Sequence, residues 1–311
     1  MPDTKKEDTH TSQWTSTGNG ARDITQRKRK KPFIENMKKL LKIPLAVFGS
    51  VIIFLVIISA IFSPWIATHD PLAMDMDYML SGPSWVHPLG TDQMGRDTYS
   101  RIIYGSRVAL IVSICAVSFG ILVGVPIGLI SAYFRGWMDE VMMRLMDALV
   151  AFPSLILAVG LIAVMGSTLI NVIVAIGTAN IPWIARIARS QALSVREQDY
   201  VTSARAAGAS KRRVILHHIW PNSAAPVIVQ GTLGMAYAVL TEAALGFIGA
   251  GVQPPTPTWG NMLERAFGLL DRSPILSIAP GMAIFLMVLA FNFVGDALRD
   301  VLDPRLKGVI T

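Results

Sequence analysis

Few side chains in this sequence could carry out covalent chemistry, and their positions do not suit an enzyme. An intramembrane protease would need a nucleophile and a base facing each other inside an apolar run. The histidines all lie outside such runs or at their edges, at His10, His69, His87, His217 and His218. The sequence therefore predicts no catalytic residue, and an intramembrane enzyme is a weak alternative.

The same histidines do not predict a metal site. His87, Asp92 and Asp97 are close along the chain, but their spacing matches no standard ligand pattern, and we expect a capped turn there. His217 and His218 are adjacent, so they point about 100° apart on a helix and cannot share an ion as an i, i+4 pair would. The single cysteine excludes an internal disulfide framework and a Cys-rich site.

Nucleotide binding is also absent from the predicted chemistry. A phosphate-binding P-loop needs G-x-x-x-x-G-K-[ST], and the chain contains no Gly-Lys dipeptide. The segment GASKRR at 208–213 lacks the second glycine and the hydroxyl residue. We expect this chain to bind no cofactor, so any ATP and Mg²⁺ that it depends on must be held by separate subunits.

Three polar residues within apolar runs are candidates for a translocation pathway. Glu242 is the one acidic side chain well inside such a run, and an ionisable group is costly beside lipid. Asn180 and Asn292 are weaker candidates for the same reason. The alternative for each is a contact with a neighbouring helix.

A basic segment, DYVTSARAAGASKRRVILHHIWPNSAAP at 199–226, separates two long apolar runs. Its pattern predicts a short helix that ends at Gly208, and then a second helix capped by Ser210. Lys211, Arg212 and Arg213 would sit at the positive end of that second helix, where cations cost about 0.3–1 kcal/mol each. They therefore indicate a contact with lipid phosphates or an acidic partner, unless the segment is only a solvated loop.

The composition of the sequence is typical of a membrane protein. Of its 311 residues 16% are charged, and the mean hydropathy is +0.49. A helix that spans a bilayer needs about 20 apolar residues. Uncharged runs predict six transmembrane helices, near 44–66, 108–133, 141–165, 169–187, 222–248 and 277–296.

Charge then orients these spans. With six spans, both termini and two loops share one side, and that side carries 23 of the 28 Lys and Arg residues. An excess of positive charge marks the cytoplasmic face, so we expect both termini inside, in a bacterial inner membrane. The basic balance is thus explained by topology and by contact with membrane lipid, and nucleic acid is a poor partner.

Residues 199–221 resemble the EAA loop of ABC importer permeases, whose pattern is EAA, three residues, Gly, nine residues and I-x-L-P. Thr202, Ser203 and Ala204 stand at the EAA positions, with Gly208 and Pro221 in register. Thr202 replaces the glutamate, Ser203 the first alanine, and the isoleucine comes one place late. A salt bridge made by that glutamate is therefore not carried over.

Further motifs extend the resemblance to the peptide/nickel permease family, close to dipeptide and oligopeptide permeases of the "C" type, over about residues 40–308. They are HPLGTDQMGRDTYSRIIYGSR (87–107), DYVTSARAAGAS (199–210), HHIWPN (217–222), GFIGAGVQPPTPTWGNML (246–263) and FNFVGDALRDVLDPRLKG (291–308).

The resemblance implies an all-α membrane protein with six transmembrane helices and the transmembrane fold of a type I ABC importer. The implied layout places a permease core at 107–296 and, within it, a coupling loop at 188–221. The remaining segments are a basic cytoplasmic tail at 1–42, a first transmembrane helix at 43–67, an extracytoplasmic segment at 68–106 and a cytoplasmic tail at 297–311.

In that family the coupling loop docks on a cytoplasmic ATPase. The residues implied for docking are Thr202, Ser203, Ala204, Arg205, Ala207, Gly208, Ala209, Lys211, Arg212, Arg213 and Pro221. Other implied partners are a second permease of "B" type, one or two ATPases and an extracytoplasmic solute-binding protein. For that protein, a docking loop is expected at Pro254, Pro255, Pro257 and Trp259, and a merely rigid loop is the alternative.

The expected function is import of dipeptides or oligopeptides. The same fold could carry nickel, glutathione, an opine or another small solute, because cargo selection would lie largely in the solute-binding protein. A passive channel is an alternative of another class, and it would not need the coupling loop.

Overall fold

The computed structural model describes residues 40–302, and within them the regular elements are helical apart from one isolated bridge between Thr91 and Asp97. One stretch, Val214–Ile219, is π-helical. The helices are α1 (Pro44–Ile61), α2 (Ser63–Ile66), α3 (Thr98–Phe134), α4 (Gly136–Val150), α5 (Ser154–Met165), α6 (Leu169–Arg196), α7 (Asp199–Ala206), α8 (Lys211–Arg213), α9 (Trp220–Phe247), α10 (Trp259–Phe267) and α11 (Ile275–Leu302).

In the described part of the chain, five helical segments are long and apolar enough to cross a membrane. Four are α1, α3, α6 and α11, and the fifth runs without a break from α8 to the end of α9. A sixth span is present if α4 and α5 count together, but they meet at an angle of 89°. The sequence predicted one transmembrane helix near 141–165, and the structure divides this range between two helices. Pro153 precedes α5, and proline disfavours helical geometry in the residue before it, which ends α4.

The longest packed seam of the molecule joins α3 to α6. Small residues line it because a side chain would not fit: a Cβ on Gly124 would lie 2.9 Å from the carbonyl oxygen of Ile181, and one on Gly128 would collide with that of Ala185. Transmembrane helices associate chiefly through such close backbone packing, since lipid offers no hydrophobic drive between them. The seam fixes, relative to each other, the ends of α3 and α6 that lie next to the coupling loop.

The first span lies at the periphery, against α11. Gly49 permits their approach, since a Cβ there would be 2.8 Å from the carbonyl oxygen of Ala290. On its other face α1 exposes large apolar side chains, among them Phe54 and Leu55. This helix therefore presents a lipid-facing surface.

The segment after Ser210 does not end at Pro221. Residues 211–247 instead run as one continuous helical segment through the fifth predicted span. The backbone N–H of Trp220 donates to the carbonyl of Ile215, five residues back. This wider turn leads into α9 with Pro221 as its second residue.

The first span is shorter than predicted, since α1 ends at Ile61 and not near 66. Three others extend beyond their predicted bounds: α3 begins ten residues before 108, α6 ends nine residues after 187, and α11 ends six residues after 296. These extensions carry the helices beyond the apolar runs and into the polar segments on each side. Most of the predicted tail at 1–42, and the end of the tail at 297–311, lie outside the described residues.

The α3–α6 seam generates a test of packing. Gly128→Val should lower the stability of the detergent-purified protein by about 1–3 kcal/mol, because a buried β-branched side chain must push the two helices apart. Thermal unfolding followed by intrinsic fluorescence would measure the change. The matched control is Gly160→Val in α5, where an added Cβ meets nothing within 4 Å. Equal midpoints for the two variants would contradict the seam.

Candidate functional site

The bend of the coupling loop is set by Gly208. Its φ of +82° lies in the left-handed region, as the sequence predicted. The N–H of Gly208 donates to the carbonyl of Arg205 at 2.9 Å, and that of Ala209 to the carbonyl of Ala204 at 3.0 Å. This pair of bonds is a Schellman motif, which ends α7 and turns the chain sharply toward α8.

The second helix of the loop starts at the predicted cap. The hydroxyl of Ser210 accepts from the N–H of Arg213 at 3.4 Å. Beneath the loop, Val201, Val214 and Ile219 are buried together with residues of α3 and α6. The apolar side of the loop is thus anchored to the span bundle, which leaves its other side free.

That free side carries the residues which the sequence assigned to docking. Ala204, Arg205 and Ala209 are half-buried. The remaining docking residues are exposed: Thr202, Ser203, Ala207, Gly208, Lys211, Arg212, Arg213 and Pro221. The arrangement presents to solvent a basic surface that is bounded by small side chains.

Two adjacent aromatic residues at the end of α3, Tyr133 and Phe134, contact the loop, and the sequence did not predict this contact. The guanidinium carbons of Arg196 and Arg205 lie 5.9 and 5.3 Å from the centre of the Tyr133 ring. The ammonium of Lys211 lies 5.3 Å from the centre of the Phe134 ring. Such cation–π contacts are worth about 0.5–2 kcal/mol each, depending on how dry they are. They tie α3, α6 and both helices of the loop to one point, the aromatic clamp.

The clamp brings two like charges together without a carboxylate between them. Arg196 donates from Nη1 to the carbonyl of Ala132 at 2.9 Å. Within residues 40–302, its Nε and the Nε and Nη2 of Arg205 are buried and make no hydrogen bond. The ring of Tyr133 faces both guanidinium groups and offsets part of the repulsion between them.

The pathway candidates inside the spans lie next to groups of this chain, two of them on their own helix. Glu242 is 1% exposed beside Thr258, and its Oε1 has no hydrogen-bond partner in the described part of the chain. Asn180 is buried and donates to the carbonyl of Ile176 on its own helix at 3.0 Å. Asn292 is half-buried and does the same with Val288 at 2.9 Å. The structure does not gather them into one site.

On the opposite side, Asp97 organises the start of α3. Its carboxylate accepts from the N–H of Ser100 at 2.8 Å, from the ring of His87 at 2.9 Å and from the hydroxyl of Thr68 at 3.2 Å. Burial alone would raise the pKa of Asp97, but the hydrogen bonds, led by those from Ser100, outweigh burial and lower the pKa. The capped turn predicted at this motif is present.

His69 joins this cluster, although the sequence gave no reason to pair it with His87. Potential ligand atoms of His69, His87 and Asp97 all lie within 4.8 Å of one another. Hydrogen bonds account for the arrangement, because the Nδ1 of His69 is 3.0 Å from the hydroxyl of Thr68 and His87 is bonded to Asp97. The separate pair of Asp92 and Arg96 closes the same turn at 2.6 Å.

The proline-rich loop divides into an exposed tip and a buried stem. Pro254 and Pro255 are exposed, and they are joined by a cis peptide bond. Pro257 and Trp259 are buried. The indole of Trp259 donates to the carbonyl of Ile102 at 3.0 Å and packs on Gly105. Trp259 thus anchors the loop to α3, and only the tip is offered to solvent.

Comparison with known families gives two matches along the chain. The family described as "Binding-protein-dependent transport system inner membrane component" matches residues 124–308. The one described as "N-terminal TM domain of oligopeptide transport permease C" matches residues 31–83.

Several curated proteins are similar over most of their length. A dipeptide transport system permease protein of Alkalihalophilus pseudofirmus is 42% identical, over 89% of this chain and 91% of that protein. A di/tripeptide transport system permease protein of Pseudomonas aeruginosa is 41% identical, over 84% and 88%. A glutathione transport system permease protein of Escherichia coli is 39% identical, over 89% and 92%.

The fold resembles a solved transporter. A chain of the MetNI methionine ABC transporter, in an inward-facing conformation, aligns with a TM-score of 0.55 and 19% identity. The alignment covers 65% of this chain and 96% of that chain. At this identity the likeness shows a shared fold and says nothing about cargo.

The aromatic clamp can be tested by changing one ring. Tyr133→Leu should uncouple the loop, lowering transport about tenfold in a reconstituted system, because two cation–π contacts of about 1 kcal/mol each are lost. Tyr133→Phe keeps the ring face and should retain most transport. Uptake and ATP hydrolysis would be measured on the same preparations. Equal losses in both variants would point to the hydroxyl and exclude the clamp.

The Asp97 cluster predicts a pH dependence. Because the folded pKa is lowered, Asp97 stabilises the fold fully above its ordinary value near 3.8, and this contribution is lost as pH falls through the folded pKa. Asp97→Asn should cost about 1–2 kcal/mol near pH 7 and less near pH 3. Thermal unfolding across this range would show it, with Asp77→Asn, an exposed residue of the same segment, as control. A constant difference would contradict the assignment.

Proposed function

The chain belongs to the family of binding-protein-dependent transport system inner membrane components, and we propose that it is the transmembrane permease subunit of an ATP-driven importer of short peptides. The observation that carries the proposal is the 42% and 41% identity, over most of the chain, to permeases of dipeptides and of di- and tripeptides. A glutathione transport system permease protein is also similar to this chain, and glutathione is a tripeptide with one γ-linked amide.

The chain is a transport subunit and not an enzyme. Its sequence contains no Gly-Lys dipeptide and hence no P-loop. In our proposal, ATP and Mg²⁺ are bound by one or two separate ATPase subunits, and this chain binds no cofactor and no metal ion. The free energy of ATP binding at those subunits can change the conformation of the transmembrane helices only through a protein–protein contact. The coupling loop is therefore essential in this proposal.

We place the protein in a bacterial inner membrane with both termini inside. The support is the charge distribution, with 23 of 28 Lys and Arg residues on the side of the termini. This orientation puts the coupling loop in the cytoplasm and the Asp97 cluster outside. Lipid phosphates then lie next to the basic residues at the cytoplasmic face.

The coupling loop is proposed as the seat of an ATPase. Its bend at Gly208 presents a surface of small side chains, and Lys211, Arg212 and Arg213 supply exposed positive charge for acidic groups on the partner. A push on this surface passes directly into α6 and α9, which are continuous with the two ends of the loop. Through the aromatic clamp it also reaches the end of α3.

Two further partners complete the proposal. A related permease of "B" type would supply the other half of the pathway, and a solute-binding protein would dock at the exposed tip that Pro254 and Pro255 form. Glu242 stays a pathway candidate because its Oε1, which has no hydrogen-bond partner within residues 40–302, suits the amino terminus of a peptide if α9 and α10 separate. Asn180 and Asn292 are weaker candidates, since each is bonded to its own helix.

Reconstitution of the complete assembly tests the cargo. Proteoliposomes that contain both permeases and the ATPases should take up a radiolabelled dipeptide when given ATP and loaded binding protein. Uptake of Ni²⁺ under the same conditions is the competing outcome. A flux of dipeptide that needs no ATP would favour a passive channel and overturn the proposal.

Charge reversal tests the seat of the ATPase. The double variant Arg212→Glu, Arg213→Glu should lose co-purification of the ATPase and at least tenfold of the uptake, because attraction becomes repulsion at the docking surface. Arg144→Glu is the control, since it makes the same change at an exposed position of α4. If the ATPase stays bound to the double variant as firmly as to the control, the loop is not its seat.

A further inference from the structure

A large cleft opens between α6, α9 and α11, near the end of the bundle that carries the coupling loop. Its volume is about 720 Å³, within the range of about 300–1,000 Å³ that is usual for small-molecule sites. Its walls include Gln191 near the end of α6 and Asn222, Gln230 and Arg299 on the other two helices. We call it the amide cleft.

The polar groups of the amide cleft are not used by the fold. Within residues 40–302, the side chains of Gln191 and Gln230 make no hydrogen bond, although both are half-buried. Asn222 donates to the carbonyl of His218 at 2.7 Å and keeps its own oxygen free. An unpaired amide at this depth costs free energy unless water or a ligand satisfies it.

Gln230 is the most telling of these residues, because it lies well inside a span. It is ten residues beyond the start of α9, or about 15 Å along the helix axis. A glutamine at that depth is unfavourable next to lipid tails, so its position on a cleft wall indicates a polar occupant. Sequence reasoning passed over it because glutamine carries no charge.

The chemistry of the walls fits one class of ligand. Each amide offers a donor and an acceptor, which match the N–H and C=O of a peptide bond whatever side chains the peptide carries. The guanidinium of Arg299, at the rim, matches a terminal carboxylate. Val229 and Leu233 supply apolar wall for variable side chains.

The position of the cleft connects it to the motor. Two of its three walls, α6 and α9, are the helices that run into the two ends of the coupling loop. Displacement of the loop must therefore change the width of the cleft. A ligand held there would be gripped or released in step with the ATPase cycle.

We propose that the amide cleft is a peptide-binding subsite on the cytoplasmic half of the pathway, where Gln191, Asn222 and Gln230 hold the peptide backbone and Arg299 its terminal carboxylate. The inference rests on the proposed function, since it takes a short peptide as cargo. It adds which residues contact that peptide after the binding protein has released it.

The test uses the complete assembly in proteoliposomes. Gln230→Leu keeps the volume of the side chain and removes its amide, so ATP-driven dipeptide uptake should fall about tenfold, the effect of one lost hydrogen bond. Gln191→Leu, on a different helix, should give a similar loss. Stimulation of ATP hydrolysis by loaded binding protein should persist in both, because the loop is intact.

The matched control is Thr232→Val, on the same helix as Gln230. Its hydroxyl is already bonded to the carbonyl of Ile228 at 3.1 Å, and it is not part of the cleft wall. Uptake by this variant should equal that of the unchanged protein. A tenfold loss in the control as well would assign the effect to general disturbance of α9 and overturn the proposal.

A photoreactive dipeptide supplies a direct measurement on the nucleotide-free complex. Crosslinks should map to α6 and α9 around the cleft, decrease with excess unlabelled dipeptide and decrease in Gln230→Leu. Normal uptake by Gln230→Leu, or crosslinks elsewhere, would overturn the subsite, as would a cleft labelled by a photoreactive phospholipid that dipeptide does not displace. Absence of uptake by the unchanged assembly would instead overturn the proposed function, and the peptide assignment with it.

Discussion

The close packing of α3 against α6 is the contact on which the other features of the molecule depend. Gly124 and Gly128 bring the two backbones so near that a single added carbon would meet a carbonyl. Since lipid gives helices no hydrophobic reason to associate, this fit supplies van der Waals contact that acyl chains cannot match. It also fixes where the two helices end, and both the aromatic clamp and the start of the coupling loop lie at those ends.

A rigid seam beside a lightly attached loop divides the molecule into a frame and a lever. The frame is α3 with the first part of α6. The lever is α7 and α8, held by a few buried side chains such as Val201 and Val214 and by cation–π contacts to Tyr133. Contacts of about 1 kcal/mol each are strong enough to keep the loop in place and weak enough to break and re-form when the loop moves. Their modest strength therefore suits a part that moves.

Sequence patterns predicted the features that depend on local backbone geometry, or on whether a segment lies in lipid or in water. Apolar runs located the spans, and Gly208 and Ser210 fixed the bend and cap of the loop because left-handed backbone and capping are local properties. Features formed between distant segments could not be predicted. Tyr133 lies 63 residues before Arg196 and 72 before Arg205, and nothing in the linear order pairs them. The angle between α4 and α5 could not be predicted because hydropathy reports depth and not direction.

A binding site inside an importer has to satisfy a different requirement from that of a receptor. If selection occurs before the cargo enters the membrane, a second site that read side chains would reject part of what had already been accepted. Amide groups such as those of Gln191 and Gln230 avoid this conflict, because every peptide presents the same backbone. Few and solvent-reachable hydrogen bonds also keep the affinity low. In the proposed subsite, release requires only that α6 and α9 move apart, and these are the two helices that run into the coupling loop.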